Sequence, residues 1–365
     1  MILKYLFILL LIFHGLFHVA GVFANWQDDH IKKHFFNDGD RLTIAGYSWL
    51  MTGVLFLFCA ILMVFNWESY WVMLLSAFIL SQSLIVRFWP LAKYGTFING
   101  VVLIVAVIAA GSYNFDQRVN AEIKTLKAEA RHSGEVITED HLVSLPKPVK
   151  QWMITSGVVG KKYPSQVHII QKGELRQEKN GAWSGFHAKQ YFSLEPPAFV
   201  WTADIHINSL FELKGRDKLE KGKGNMLIKG DSFFPIANSS GKEIDQGSLL
   251  RYLAEISWFP QASLQNYMTW EEIDATHARA FMTYGSTSVS GVFTFGPNGL
   301  PVLFEAKRYG DFKGKFSLET WSVKTTAYRT FQGVTVGSSN EVTWKLSSGD
   351  FTWLKLELTS LEYQY

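Results

Sequence analysis

Cysteine is nearly missing from this chain: Cys59 stands alone among 365 residues. One thiol closes no internal disulfide and supplies no set of Cys ligands, so a disulfide scaffold and a thiolate metal cluster are both excluded. Charge of one sign is lacking too. The formal net charge is +3, and there is neither a dense basic block nor a nucleic-acid signature, so no nucleic-acid partner is expected. The usual marks of catalysis are also absent. There is no Gly-x-Ser-x-Gly elbow, no His-Glu-x-x-His zinc site and no phosphate loop. Gly222-Lys223-Gly224-Asn225 lacks a third glycine and reads as a turn. Asn37-Asp38-Gly39-Asp40 is too short for a calcium loop. No catalytic residue and no cofactor is expected.

Charge is scarcest at the front. Of 35 basic and 32 acidic side chains, eleven fall within residues 1–113, between or beside long apolar runs. A helix needs roughly 20 residues to cross the hydrocarbon core. The runs Tyr5–Ala24, Leu42–Phe65, Ser69–Val86 and Gly95–Tyr113 meet that need without an internal charge. They predict an α-helical membrane domain of about four transmembrane helices over residues 1–113, with the lipid bilayer as partner. Trp26, Trp49, Trp67, Trp71 and Trp89 sit near span ends, where indole prefers the headgroup region. Asn66-Trp67-Glu68 leaves room for only a tight turn, so the second and third spans should form a hairpin. The alternative for the first run is a cleaved signal peptide, with Lys4 and Val22-Phe23-Ala24 as its ends; the apolar run is long for that role and holds two histidines. Basic residues divide evenly between the two orientations, so the positive-inside rule does not choose between them. The expectation is a multi-pass inner-membrane protein with its second domain on the extracytoplasmic side.

His14 and His18 are four apart and share one helix face; His30 and His34 repeat the spacing in the loop that follows. Imidazole is a common metal ligand, which makes His14 and His18 weak metal or haem candidates. No partner histidine occurs in another span, and the alternative is hydrogen bonding to neighbouring helices, with Gly15 and Gly21 permitting close approach.

Residues 114–144 read as a polar helical connector, in which 114–134 form a helix that extends out of the membrane or lies on it and ends at Ser133-Gly134. From about residue 145 onward the chain predicts a water-soluble, mostly antiparallel β domain, 145–365. A short helix is expected over Pro148–Ile154. Beyond it, alternation with period two dominates. Phe199, Trp201, Ala203, Ile205 and Ile207 fall on one face, and Thr202, Asp204 and His206 on the other. Ser288–Phe295, Pro301–Arg308, Leu318–Lys324, Glu341–Leu346 and Phe351–Leu358 are further strands, with turns at Pro297-Asn298-Gly299 and Ser348-Gly349-Asp350. One helix interrupts them around residues 248–257, where Leu249, Tyr252, Leu253 and Ile256 keep helical spacing. Strands plus one apolar-faced helix predict a curved sheet or half-barrel with the helix packed on it. Eight tryptophans in this region suit either a ligand cavity or a solid core.

Several segments resemble a bacterial family of uncharacterised proteins, a domain of unknown function. They include Leu145-Pro146-Lys147-Pro148-Val149, Ala188-Lys189-Gln190-Tyr191-Phe192 and Pro196-Pro197-Ala198-Phe199-Val200-Trp201. Leu250-Arg251-Tyr252-Leu253-Ala254-Glu255 with Trp258-Phe259-Pro260, Glu319-Thr320-Trp321-Ser322 and Glu341-Val342-Thr343-Trp344 complete them. They keep the family's order over residues 145–365. After Phe331-Gln332-Gly333-Val334 the family pattern implies a proline-containing turn, and Thr335-Val336-Gly337-Ser338-Ser339 stands instead. The resemblance implies no activity.

The polar set of most interest is Arg251, Glu255, Asp274 and Arg279. Arg251 and Glu255 are one helical turn apart and should pair, either to orient the helix on the sheet or, with Arg251 at a cavity mouth, to hold a ligand headgroup. Asp204 and His206 share a strand face and offer an acid–base couple without a nucleophile; a solvated face is the plainer reading. The leading expectation is a non-catalytic, membrane-anchored binding module for a lipid or other apolar molecule, with Arg251, Tyr252, Glu255, Trp258 and Trp201 as ligand-binding residues. A structural or signalling component of an envelope complex, and an enzyme of unknown reaction, are the alternatives.

Overall fold

A computed structural model describes residues 2–23, 33, 42–208, 211–230, 234–312 and 314–365. The chain divides into two compact units, Met1–Asp116 and Gln117–Tyr365. Trp26, His30, His34 and the Asn37–Asp40 turn lie outside the described residues.

Among the described residues, four helices are long and apolar enough to cross a membrane; three lie in the first unit and the fourth begins there. They are α1 (Ile2–Phe23), α2 (Ile44–Val64), α3 (Tyr70–Arg87) and α4 (Gly95–Glu129). The Thr43 hydroxyl starts α2 by accepting from the Gly46 amide at 3.1 Å, a normal N-cap. Asn66, at φ 53°, makes the tight turn between α2 and α3. Helices α1 and α2 touch backbone to backbone: a Cβ on Gly15 would lie 2.9 Å from the Gly53 carbonyl, and one on Gly53 would lie 2.8 Å from that of Gly15. Small residues at such a crossing let two helices gain van der Waals contact that larger ones forbid. Phe56, Cys59, Leu74, Ala77 and Val102 fill the interior. The outward faces are just as apolar, with Phe13, Phe17, Ile44 and Phe97 exposed.

The helix of the fourth apolar run continues, as expected, through the polar stretch to Glu129; no glycine or proline interrupts residues 114–129. The expected connector is therefore largely the end of α4. Arg131 onward is irregular apart from a short 3₁₀ turn, Glu139–Leu142, before α5 (Lys147–Ser156).

Thirteen antiparallel strands then form one curved half-barrel sheet. The first six are β1 (Gln166–Leu175), β2 (Ser184–Ser193), β3 (Ala198–His206), β4 (Glu212–Glu220), β5 (Lys223–Gly230) and β6 (Phe234–Ser239). Helix α6 (Lys242–Glu255) and two 3₁₀ turns, Ile256–Trp258 and Pro260–Leu264, follow. The second run is β7 (Met268–Glu272), β8 (His277–Tyr284), β9 (Thr287–Phe295), β10 (Pro301–Phe312), β11 (Lys315–Phe331), β12 (Val334–Leu346) and β13 (Gly349–Gln364). Each run is a meander, and the two join where β1 pairs with β13 in the middle of the sheet.

Helix α6 links the two sheet edges, β6 and β7, and lies against strands of both wings: β4 and β5 on one side, β8, β9 and β10 on the other. The sheet wraps around it. Leu249, Leu250, Tyr252 and Leu253 are wholly buried there, and α5 adds Trp152, stacked on Phe293 with ring centroids 5.8 Å apart. Burying two dozen or more such side chains at roughly 1.5–3 kcal/mol each drives the fold. The wings also meet at a rim: Gly222, in the β4–β5 turn at φ +75°, sits where a Cβ would be 3.0 Å from the Tyr284 carbonyl. Thr335–Ser339 form no turn and belong to β12; the chain reverses just before them, at Gln332 and Gly333, which both take positive φ and make a tight hairpin.

On the convex face the polar end of α4 is held by charge. Glu122 lies 3.1 Å from Arg216 Nε and 3.3 Å from Lys218 Nζ, and Glu129 lies 2.9 Å from Lys221.

Candidate functional site

The concave face carries a polar seam. Trp201 Nε1 donates to Gln171 Oε1 at 3.2 Å, and Gln171 Nε2 to Gln190 Oε1 at 3.3 Å. Gln190 Nε2 donates to Glu255 Oε2 at 2.8 Å. Arg251 then gathers the cluster, with Nε on Glu255 Oε1 at 2.8 Å, Nη1 on Asp217 Oδ2 at 2.8 Å and Nη2 on Gln190 Oε1 at 3.3 Å. Its guanidinium stacks between Phe199 and Trp201, 5.0 and 5.1 Å from their centroids. Burial opposes its charge, yet Glu255 and Asp217 more than offset this and raise its pKa. Strand register aligns the set, because Gln171, Gln190, Trp201 and Asp217 occupy the inward phase of four adjacent strands.

Four of the five expected binding residues therefore stand on or beside the helix. Arg251 and Glu255 are tied to each other, to Asp217 and to Gln190. Tyr252 is wholly buried and donates to the Ser193 carbonyl at 3.0 Å. The Trp258 carbonyl takes the Tyr363 hydroxyl at 2.7 Å, and its indole is buried. Trp201, the fifth, is half-buried in β3.

The larger set of Arg251, Glu255, Asp274 and Arg279 does not assemble. Asp274 binds Thr276 and His277 in an exposed turn, and Arg279 lies 3.5 Å from Glu271 across the β7–β8 pair. Asp204 and His206 do share the convex face, but each has another partner: Lys214 at 3.9 Å and Glu212 at 2.9 Å. His206 does flank an open convex trough of about 540 Å³ with His187 and charged side chains.

A second cation, Arg308 of β10, was not legible as a candidate. It lies on the inward face with Phe304 and Ala306, donates from Nε to the Gly247 carbonyl at 3.3 Å, and stacks 4.8 Å from Trp321 and 5.8 Å from Trp344. Among the described residues it makes no ion pair, although Glu319 stands opposite it in the ladder. Burial lowers its pKa to about 10; the charges of Asp217, Arg251 and Glu255 reach it from the seam. Beyond the seam the same face is apolar. Phe186, Ile205 and Leu213 form a separate cluster with the half-buried Leu175, Leu354 and Leu356. One sequence signal would have found these groups: a polar residue in the apolar phase of a strand. Asp217 stands between Leu213 and Leu219, Gln190 between Ala188 and Phe192, and Arg308 after Phe304 and Ala306.

In the first unit the histidine rings turn to neighbouring helices. His14 Nε2 lies 3.1 Å from Asn99 Oδ1, and His18 Nε2 lies 3.0 Å from Ser81 Oγ. Among the described residues no group of three His, Cys, Asp or Glu side chains converges on a metal position.

These features define a class: an antiparallel half-barrel with a helix in its concavity, preceded by a bundle of four apolar helices. The chain belongs to a family of unknown function, DUF6544, whose model matches residues 135–356. No curated protein matches it. Among solved structures it is similar to a DUF1329 family protein from Desulfovibrio piger, at 10 % identity and a TM-score of 0.35, over 59 % of this chain and 91 % of that one.

Proposed function

We propose that the half-barrel binds an amphiphile, with its tail on the apolar strip beyond the seam and an anionic head at Arg308, while the four apolar helices hold the protein in the inner membrane of a bacterium. The reading places the half-barrel on the extracytoplasmic side and assigns it no catalysis. The observation that carries it is Arg308: a half-buried guanidinium between two indoles, without a carboxylate of its own among the described residues. Arg251 has the opposite character. Its donors are committed to Asp217, Glu255 and Gln190, so it shapes the floor beneath the head and does not bind it. A guanidinium on aromatic faces suits carboxylate and phosphate oxygens through paired N–H donors.

The test uses the full chain in detergent with a diazirine-bearing long-chain fatty acid and its methyl ester. The acid should cross-link to the peptide containing Leu354 and Leu356. The ester and the Arg308→Gln variant should each label it about ten-fold less, the cost of a charged hydrogen-bonded contact. Equal labelling by acid and ester, or labelling spread evenly over the chain, overturns the proposal.

A further inference from the structure

The hairpin of β10 and β11 outruns the sheet that carries it. Strand β9 pairs with β10 only as far as Glu305, and β12 pairs with β11 only from Thr320. Just past Glu305, α6 takes the place of a neighbouring strand: Gln246 Nε2 donates to the Lys307 carbonyl at 3.1 Å, and Arg308 Nε to that of Gly247. Further out, among the described residues, the two strands pair only with each other, from Tyr309 opposite Leu318 to Phe312 opposite Lys315. A lone two-stranded ribbon is marginal in water.

Its inner face is packed. Phe312 meets Trp344 edge to face with ring centroids 5.4 Å apart, and a Cβ on Gly310 would lie 3.1 Å from the same indole. The outer face is not. Register sets Tyr309 opposite Leu318 and Phe316 opposite Asp311, so strand alternation brings the three apolar side chains to one face. Tyr309, Phe316 and Leu318 are 38 %, 45 % and 47 % exposed.

Charge selects what this face fits. Residues 307–318 carry Lys307, Lys313 and Lys315 besides Arg308, against Asp311 alone. Lys307 and Lys315 are exposed, whereas Asp311 serves the turn by accepting from the Gly314 amide at 2.7 Å. Apolar side chains fringed by lysines make an interfacial anchor: the rings settle at headgroup level and the ammonium groups meet anionic phosphates. A protein partner would have to match each lysine with a placed carboxylate, while an anionic bilayer offers phosphates in any register.

The position of the tip agrees. Turns of a meander alternate between two rims, so the β1–β2 and β12–β13 connections share a rim with this tip. Leu175 and Leu354, paired at the end of β1, bring the apolar strip of the concave face to that same rim. Four helices of the chain are long and apolar enough to cross a membrane, so a lipid surface is at hand.

We infer that the β10–β11 tip docks on an anionic bilayer surface, with Tyr309, Phe316 and Leu318 in the headgroup layer and the lysines on its phosphates. Docking requires no ligand in the half-barrel and stands apart from the amphiphile site.

The test uses the full chain with Cys59→Ala, so that Phe316→Cys holds the only thiol. A nitrobenzoxadiazole dye is attached there, and the protein is reconstituted into phosphatidylcholine vesicles with and without phosphatidylglycerol. A lipid bearing a nitroxide near its headgroup is the quencher, and the same dye at Thr359→Cys, exposed on β13, gives the baseline. Blue-shifted emission is expected at the tip, with quenching several-fold above baseline that rises with phosphatidylglycerol and falls with salt. Tyr309→Asp with Leu318→Asp should cut the quenching about ten-fold with the circular-dichroism spectrum unchanged. Should that variant unfold, Lys313→Glu with Lys315→Glu should return the anionic vesicles to the phosphatidylcholine level. Quenching no greater than at Thr359, or unchanged by phosphatidylglycerol or by a folded variant, overturns the inference. Blue-shifted emission without quenching also overturns it, by showing that protein covers the tip.

Discussion

Glu255 accepts from Arg251 Nε at 2.8 Å within one turn of α6, and its second oxygen accepts from Gln190 of β2, also at 2.8 Å. The helix is thereby located on the sheet by a charge that is itself bound twice. Removing one partner of a buried pair leaves an uncompensated charge, at about 3–5 kcal/mol. Arg251→Met strands both Asp217 and Glu255 and should cost that much. Glu255→Gln keeps a hydrogen-bonding side chain and leaves Arg251 paired with Asp217, so its cost should be nearer 1–2 kcal/mol. Urea unfolding of the full chain measures both; an equal loss, or a reversed order, contradicts this account of the seam.

The polar end of α4 offers a second comparison. Arg216 is fully buried against Glu122, while the side chains of Lys221 and Glu129 are 66 % and 37 % exposed. Burial lowers the Arg216 pKa and Glu122 opposes that. Glu122→Gln should therefore destabilise by about 3 kcal/mol, and Glu129→Gln should shift stability far less because solvent screens an exposed pair. Thermal midpoints of the two variants, side by side, decide it.

His168 of β1 sets a pH dependence. Its ring stacks on Tyr191 at 4.3 Å, and its pKa is lowered by burial first, with Glu362 opposing and Lys127 and Lys189 assisting. A folded value below the unfolded 6.5 means that the unfolded chain takes the proton first. The contribution is full above pH 6.5 and is lost as pH falls through the folded value. Relative to His168→Phe, which keeps the stacked ring, wild type should lose stability between pH 7.5 and 5. Parallel curves for the two proteins would show that His168 does not titrate in this window.

Legibility from sequence followed interaction range. Apolar runs and period-two alternation are local, so the four long helices and the strands around Phe199–Ile207 and Ser288–Leu358 were readable. The Arg251–Glu255 pair was readable for the same reason. Asp217, Gln190 and Arg308 were not, because their meeting depends on the register of strands far apart in the chain. Asp274 and Arg279 were grouped with Arg251 by residue type, and register sends them to an exposed edge. The polar end of α4 was readable too. A helix carries its own hydrogen bonds across a change of composition, so the loss of apolar residues after Tyr113 marks a change of surroundings, and the helix runs on to Glu129.

The sheet's midline joins segments that are far apart in synthesis. Ser165 donates to the Gln364 carbonyl across 199 positions, and β1 spends the interval with one flank unpaired. The earlier wing can zip onto β2 as it emerges, but the central seam waits for β13 to leave the ribosome. Such distant closure slows folding, and an exposed strand flank invites pairing with another chain in the meantime. Biogenesis of this protein should accordingly lean on chaperones that shield nascent β edges, and translation stalled before β13 should yield aggregates in place of a partly built half-barrel.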